Sequence, residues 1–366
     1  MRISAESERE FLKKIFNKYG FSSQNSELLT DTLVDADLRG ISSHGIQRLA
    51  WYTDMVKEHI IEPKNEVKII KEIPTALFVD ANQNMGQIAS KFTMSKLIEK
   101  AKNTGIAIGV VRNSNHFGTA GYYARMASKE DLIGIATTNT RPLVVPTNAT
   151  KAFLGSNAFA FSFPAEPHPF VFDGATSVVS SGKIQVFAKN NKPIPGDWAV
   201  DAHRNIVKDP EKVEDNLAKV AFTEDNQGGG VLTLGGNSEI NSNYKGFGNS
   251  IIVELLTGIL AQGSISADTN KKGHHDFSQF FVVMNPSFFG DLNVIKDTAK
   301  LMFDRIRELD HIPGKTIFVP GDREYKNYEE NSKSGILIDD KTADELKIIG
   351  EKYHVSVPEA VTVQQN

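Results

Sequence analysis

The stretch Arg112-Asn-Ser-Asn-His-Phe-Gly-Thr-Ala-Gly-Tyr-Tyr-Ala-Arg125 holds the groups best suited to chemistry in this chain. It follows the apolar, β-branched run Ile106 to Val111, which has the length and composition of a buried strand. An amphipathic segment, Tyr122 to Lys129, comes next. A loop between a buried strand and a helix is a common seat for function, because a rigid scaffold positions it. His116 lies in the middle of that loop, and an imidazole takes up and returns a proton near neutral pH. Asn113 and Asn115 could orient it or a ligand. Gly118 and Gly121 let backbone come close to something. A hydrogen-bonded structural histidine in a turn would read the same way.

A second constellation is Ile41-Ser-Ser-His-Gly-Ile-Gln-Arg-Leu-Ala-Trp-Tyr52. Ser42 or Ser43 is a plausible N-cap for a helix running to about residue 58. On such a helix His44, Arg48 and Tyr52, spaced i, i+4, i+8, share one face near the N-terminus. A helix N-terminus favours anions, and an arginine fork adds bidentate carboxylate recognition. An exposed polar stripe on a surface helix is the plainer alternative.

These groups need elements to hold them. Helices are expected at 5–20 and 26–39, the second closed by Gly40. Short strands are expected at 67–70 and 76–79, and a helix at 86–103. Further strands should end in Thr138-Asn139, at Asn157 to Phe163 after Gly155-Ser-Asn, and at Phe170 onward into Asp173-Gly-Ala-Thr-Ser177. Their polar ends could gather in one pocket, with helix starts offering N–H groups to phosphate. A helix should follow at about 178–189.

Residues 190–245 are punctuated by Pro and Gly, which predicts loops with one or two short strands. Lys245 then stands between glycines at the start of a strongly periodic helix, a position suited to an anionic or polar ligand. Beyond it are expected a strand at 280–284, a helix at 287–309, a strand at 316–319 and a helix at 341–353. His274-His275-Asp276 could form part of a metal site, although an adjacent pair lacks a third ligand at motif spacing. No metal is therefore expected. No G-x-G-x-x-G follows a strand anywhere, so the usual Rossmann fingerprint is missing.

The totals narrow the class. The chain has 366 residues, enough for two or three domains, with 40% hydrophobic and 23% charged residues. A net charge of −4 and the lack of a Lys/Arg run give no reason to propose nucleic acid or a membrane surface. With no cysteine, disulfides, thiolate nucleophiles and Cys-based metal sites are excluded. The first ten residues lack the apolar core of a signal peptide, and no apolar run approaches the ~20 residues of a membrane span. A soluble cytoplasmic protein is expected.

Taken in order, Ser43-His44-Gly45 with Arg48, Asn115-His116-Phe117-Gly118, Thr138-Asn139, Asp173-x-Ala-Thr-Ser177 and Tyr244-Lys-Gly-Phe-Gly248 closely resemble the type-2 malate/L-lactate dehydrogenase family. That family also holds ureidoglycolate and sulfolactate dehydrogenases and cyclic-imine reductases. The resemblance runs over essentially the whole chain. It implies a mixed α/β (α+β) fold with a non-Rossmann nucleotide-binding domain. It implies a helical domain from residues 1–65 and 300–366 beside a mixed-sheet NAD(P)-binding domain at 66–299, and a homodimer.

By the same resemblance, His116 is the expected proton acceptor, with His44 and Ser43 as its catalytic neighbours. Arg48, Tyr52 and Arg141 are the expected substrate contacts. Phe117, Gly118, Thr138, Asn139, Phe172, Asp173, Gly174, Lys245, Gly321 and Asp322 are the expected cofactor contacts. The dinucleotide is expected to be NAD, with NADP the alternative. The substrate is expected to be a small 2-hydroxy or 2-oxo acid, malate/oxaloacetate first, then lactate, ureidoglycolate or sulfolactate. The rival is a small-molecule binder, or a metal-dependent hydrolase using His274, His275 and Asp276. Departures from the family pattern at Gly174, Ala158 and Glu239 to Asn243 fall near the expected cofactor positions.

Overall fold

The structure, a computed structural model, describes residues 1–222, 228–271 and 275–361. Its centre is a seven-stranded mixed sheet in the order Lys68–Ile73, Ala76–Asp80, Ile106–Ser114, Phe277–Met284, Ile133–Thr138, Phe159–Phe163, Phe170–Gly174. Only the pairing of Ala76–Asp80 with Ile106–Ser114 is parallel; the other five are antiparallel. The helices Gly86–Thr104 and Ala120–Ser128 pack on the sheet, and Leu97, Ala101, Val111, Tyr123, Ala124 and Phe281 share the buried layer between them. Local pattern accounts for the elements: short β-branched runs form strands, and the helices between them carry one apolar face.

A second buried cluster joins the two ends of the chain. Phe11, Leu12, Ile15, Leu29, Leu33 and Tyr52 meet Ile336, Ile338, Leu346 and Ile349 there. The helices Ala5–Lys18, Ser23–Leu38 and Asp340–Tyr353 supply most of it, and Arg2–Ile3 pairs with Ile336–Leu337. The expected mixed α/β class is what the structure shows.

Four local expectations are corrected. The strand from Ile106 runs on to Ser114, so the loop begins at Asn115; Ala81 donates its N–H to Arg112 O at 3.0 Å and continues the pairing. The segment 42–58 is not one helix. Two 3₁₀ turns, Ser42–His44 and Ile46–Arg48, precede the helix Leu49–Lys57, and they break at Gly45. The break has a steric cause: a Cβ on Gly45 would stand 1.9 Å from Asp37 Oδ1.

Within 190–245 a full helix, Pro210–Phe222, replaces the expected loop. Proline at its first position and the Asp209 carboxylate, accepting from Glu211 N at 3.1 Å, start it. Val213 and Leu217, one turn apart, bury into a small cluster with Ile184 and Val231. Thr316–Val319 forms no strand. Val319 instead packs with Ala165 and Phe303, and its N–H donates to Asp322 Oδ2 at 2.9 Å. The unexpected helix Asp322–Ser334 follows, and it buries no residue. Amides hold it instead: Asn327 donates to Arg39 O at 3.1 Å and Asn331 to Leu38 O at 3.0 Å.

Candidate active site

A cavity of about 870 Å³ opens where the sheet meets the helical end cluster. That size suits a small acid together with one end of a larger ligand. His44, Arg48, His116, Phe117, Gly118, Thr138 and Arg141 line it, as residues of the expected site.

His116 is held by the loop that carries it. Asn115, fully buried, donates to Gln83 O at 3.1 Å and Asn84 O at 3.2 Å, while Gln279 donates to Asn115 O at 3.2 Å. Asn115 therefore fixes the loop and does not face a ligand. The Tyr52 hydroxyl and His116 Nδ1 are hydrogen-bonded at 2.7 Å, and Gln87 donates to the same hydroxyl at 3.1 Å. The Gly118 N–H also approaches Nδ1 at 3.4 Å, so Nδ1 is engaged within the protein and Nε2 is the ring nitrogen left for a ligand. The His44 and His116 rings stack with centroids 5.5 Å apart, and Trp51 closes edge-on at 5.2 Å from His116.

Burial above all, then the charges or partial charges of His44 and Arg48, holds the His116 pKa well below its ordinary value. Burial and Arg48 lower that of His44 to about 3. Burial thus favours the neutral form of both imidazoles in the free protein, the form with a lone pair open to a proton.

Arg48 donates Nε–H to Ser43 O at 2.6 Å, which directs the two terminal nitrogens elsewhere. Its guanidinium lies 5.6 Å from the Trp51 ring centre. Burial pushes Arg48 below the usual arginine range, and burial with the Arg48 charge brings Arg141 down to about 10. The Glu214 carboxylate in the same cavity offsets part of the repulsion between the two arginines. Ser43 Oγ and His44 Nδ1 are 2.8 Å apart, so that hydroxyl sets the orientation of the second histidine.

The remaining expected residues lie away from the cavity wall. Asn139 is buried; it donates to Ser264 O at 2.8 Å and accepts from Ser278 N at 2.9 Å. Asp173 Oδ2 accepts from Gly121 N at 2.7 Å, and Phe172 and Lys245 are exposed. Gly174 ends the outermost strand. Gly321, at φ +104°, starts the helix Asp322–Ser334, and Pro320 O accepts from Val171 N at 3.2 Å. Asp322 pairs with Arg307 through two bonds of 2.8 and 2.9 Å. Hence 118–121, 171–174 and 320–322 are contiguous, and Lys245 stands in the first turn of the helix Asn243–Glu254.

Sequence reasoning missed Trp51, Ser180, Ser181, Gly182, Lys189 and Glu214, all in the cavity wall. Ser180 accepts from Lys183 N at 3.3 Å and so caps the helix Ser181–Lys189, whose N-terminus faces the cavity. Ser180-Ser-Gly182 was the available signal, an N-cap pattern beside small residues. Glu214 comes from the unexpected helix Pro210–Phe222. Of the possible metal triad, His274 lies outside the described residues and His275 lines the cavity. The Asp276 carboxylate accepts from Ser264 N and Oγ at 3.1 and 2.8 Å. Among the described residues no three His, Cys, Asp or Glu side chains cluster to hold a metal, and no helix there is long and apolar enough to cross a membrane.

Two buried imidazoles and two arginines thus line one cavity beside the mixed sheet, and comparison with known proteins gives the family. The sequence profile of malate/L-lactate dehydrogenases matches residues 3–347. A malate dehydrogenase of Pyrococcus horikoshii is 35% identical over 359 residues, covering 97% of this chain and 96% of its own. A malate/(S)-sulfolactate dehydrogenase of Methanothermus fervidus is 34% identical, over 98% of this chain and 99% of its own. The crystal structure of a malate dehydrogenase from Entamoeba histolytica superimposes with a TM-score of 0.93 at 32% identity, over 98% and 99% of the two chains. The chain belongs to the malate/L-lactate dehydrogenase family and is a dehydrogenase.

Proposed function

We propose that this dehydrogenase moves a hydride between a nicotinamide dinucleotide, NAD first, and C2 of a small 2-hydroxy or 2-oxo acid, malate/oxaloacetate first. The observation that carries the reading is Arg48, Arg141 and His116 in one cavity. One arginine suits the carboxylate beside C2, and the second suits a distal acid group, which favours a dicarboxylate or sulfonate over lactate. The malate and sulfolactate names of the two relatives agree with that charge.

Fit to a dinucleotide is supported by Gly118. It sits at φ +79° in the cavity wall, and a Cβ there would meet nothing nearer than Gln87 Nε2 at 3.9 Å. Bare backbone is open to a flat ring. The contiguous surface of 118–121, Phe172 to Gly174 and Gly321-Asp322 would carry the rest of the dinucleotide. When bound, the nicotinamide supplies or accepts the hydride. The chain's own residues do the remainder. Arg48 orients the C1 carboxylate, and His116 Nε2 takes the hydroxyl proton as the C2–H bond breaks. In reduction the same nitrogen returns that proton to the carbonyl oxygen. For that step the neutral imidazole carries its own proton on Nδ1 and donates it to the Tyr52 oxygen, which leaves the Nε2 lone pair free.

Absorbance at the reduced-nicotinamide band, with NADH or NADPH, a panel of 2-oxo acids, and a chelator in parallel, tests this reading. Oxaloacetate should be used fastest and the chelator should change nothing. Turnover that a chelator abolishes would favour the metal-dependent rival. Calorimetry should show NADH binding despite the missing glycine fingerprint; no heat with either dinucleotide at millimolar concentration would remove the oxidoreductase mechanism.

The same proposal includes a homodimer. The helix from Asn243 onward leaves Ile252, Leu255, Ile259 and Leu260 half exposed along one side, an apolar strip of the kind that marks interfaces. Light scattering should give twice the 40.3 kDa chain mass; an active monomer would refute it. The division into 1–65 with 300–366 and 66–299 also stays a proposal. The cluster joining both chain ends supports it, while the helix Leu292–Arg307 crosses the line at 300. A cytoplasmic location completes it.

A further inference from the structure

The turn that carries Ser43, His44 and Arg48 is gripped from below by an acid that proton transfer and hydride transfer do not use. Asp37, at the end of the helix Ser23–Leu38, is 4% exposed and accepts the Ile46 N–H at 2.6 Å. Gly45 lies directly against its carboxyl group, with no room for a Cβ. Gly45 is also where the two 3₁₀ turns meet, so His44 and Arg48 stand on either side of the point Asp37 holds.

Behind Asp37 stands Glu8 of the helix Ala5–Lys18, with no exposed surface. Burial, then the charge of Asp37, push Glu8 well above the usual carboxylate range, while burial lifts Asp37 to about 7. Both Glu8 carboxyl oxygens are buried without a hydrogen-bond partner, which favours the protonated acid beside Asp37. Arg9, on Glu8's own helix, is the cation that acts on Glu8. Asn331, from the helix Asp322–Ser334 packed against this corner, is uncharged and donates to Leu38 O at 3.0 Å.

We propose that Asp37 is a positioning residue: by holding Gly45 and the Ile46 amide it aims the Arg48 guanidinium at the substrate carboxylate. This rests on the hydroxy-acid dehydrogenase reading of the cavity. The Asp37 carboxyl is not part of the cavity wall. Its effect passes through the backbone on which the clamp is built, as a supporting group does when it fixes a binding side chain.

Calorimetry with malonate, an unreactive dicarboxylate, and separately with NADH tests it on the full-length chain. Asp37→Ala leaves the Ile46 N–H without its acceptor and should weaken malonate by about tenfold or more, the scale of a charge-assisted hydrogen bond. NADH affinity should stay within about twofold, and Asp37→Asn, which still offers an oxygen, should recover most of the loss. Gly45→Ala displaces the same carboxyl from the other side and should reproduce the split if Asp37→Ala does not fold. Unchanged malonate affinity in the folded variants, or a parallel loss of NADH, overturns the proposal. Malonate binding by the wild type without turnover of any 2-oxo acid would instead sink the dehydrogenase substrate reading and leave the positioning role standing.

Discussion

His116→Gln is expected to lower turnover by ~10²–10⁴-fold in both directions, the range that a positioned general acid–base contributes. Glutamine roughly preserves the shape and can still meet the Tyr52 hydroxyl, now 2.7 Å from Nδ1. It cannot take up a proton. Folding should survive, because Asn115 anchors the loop independently through Gln83 O and Asn84 O. NADH affinity should change little.

The pH profile adds a second check. Burial holds the His116 pKa below 6.5 in the free protein, so its basic form persists to lower pH than in free imidazole. For oxidation of the hydroxy acid, kcat/KM should therefore fall only below that pH, as the base becomes protonated. An acid limb above pH 7 would contradict the neutral-base assignment. Near-wild-type turnover in His116→Gln would move the proton role to His44, whose Nδ1 is 2.8 Å from Ser43 Oγ.

Much of this site was legible because its signals were local. The strand Ile106–Ser114 is apolar and β-branched, and His116 follows it directly, so chain order gave the loop and its imidazole together. Arg48 and His44 were found by type and spacing, but for a reason the structure replaces. They flank Gly45 between two 3₁₀ turns and do not share one helix face. The cause is Asp37, eight residues earlier, which no spacing rule connects to Gly45. The helix Pro210–Phe222 was obscured by the glycines and prolines around it, and Glu214 was lost with it. The helix Asp322–Ser334 buries no residue, so hydrophobic periodicity had nothing to register there. Its two asparagine contacts to Arg39 O and Leu38 O span 288 and 293 residues, and pairing at such separation leaves no mark in a single sequence.

Arg48→Lys is expected to weaken use of the 2-oxo acid by ~1.5–3 kcal/mol, the scale of a charge-assisted hydrogen bond. The positive charge remains, so simple loss of attraction is not the reason. The native side chain is built into place: Nε–H donates to Ser43 O at 2.6 Å, and the guanidinium lies against Trp51. Gly182 leaves it room, since a Cβ there would stand 2.8 Å from Arg48 Nη2. That geometry presents a planar fork in one orientation. Lysine has no Nε–H at that position and only a point of charge, so it loses the anchor and the bidentate pairing together. A carboxylate free to tilt carries C2 out of line, so part of the loss should fall on kcat as well as on KM. NADH binding should hold. Steady-state kinetics decide the matter. If kcat/KM for the acid stays within about twofold, or if dinucleotide affinity falls instead, Arg48 is not the carboxylate clamp, and Arg141 across the cavity takes that role.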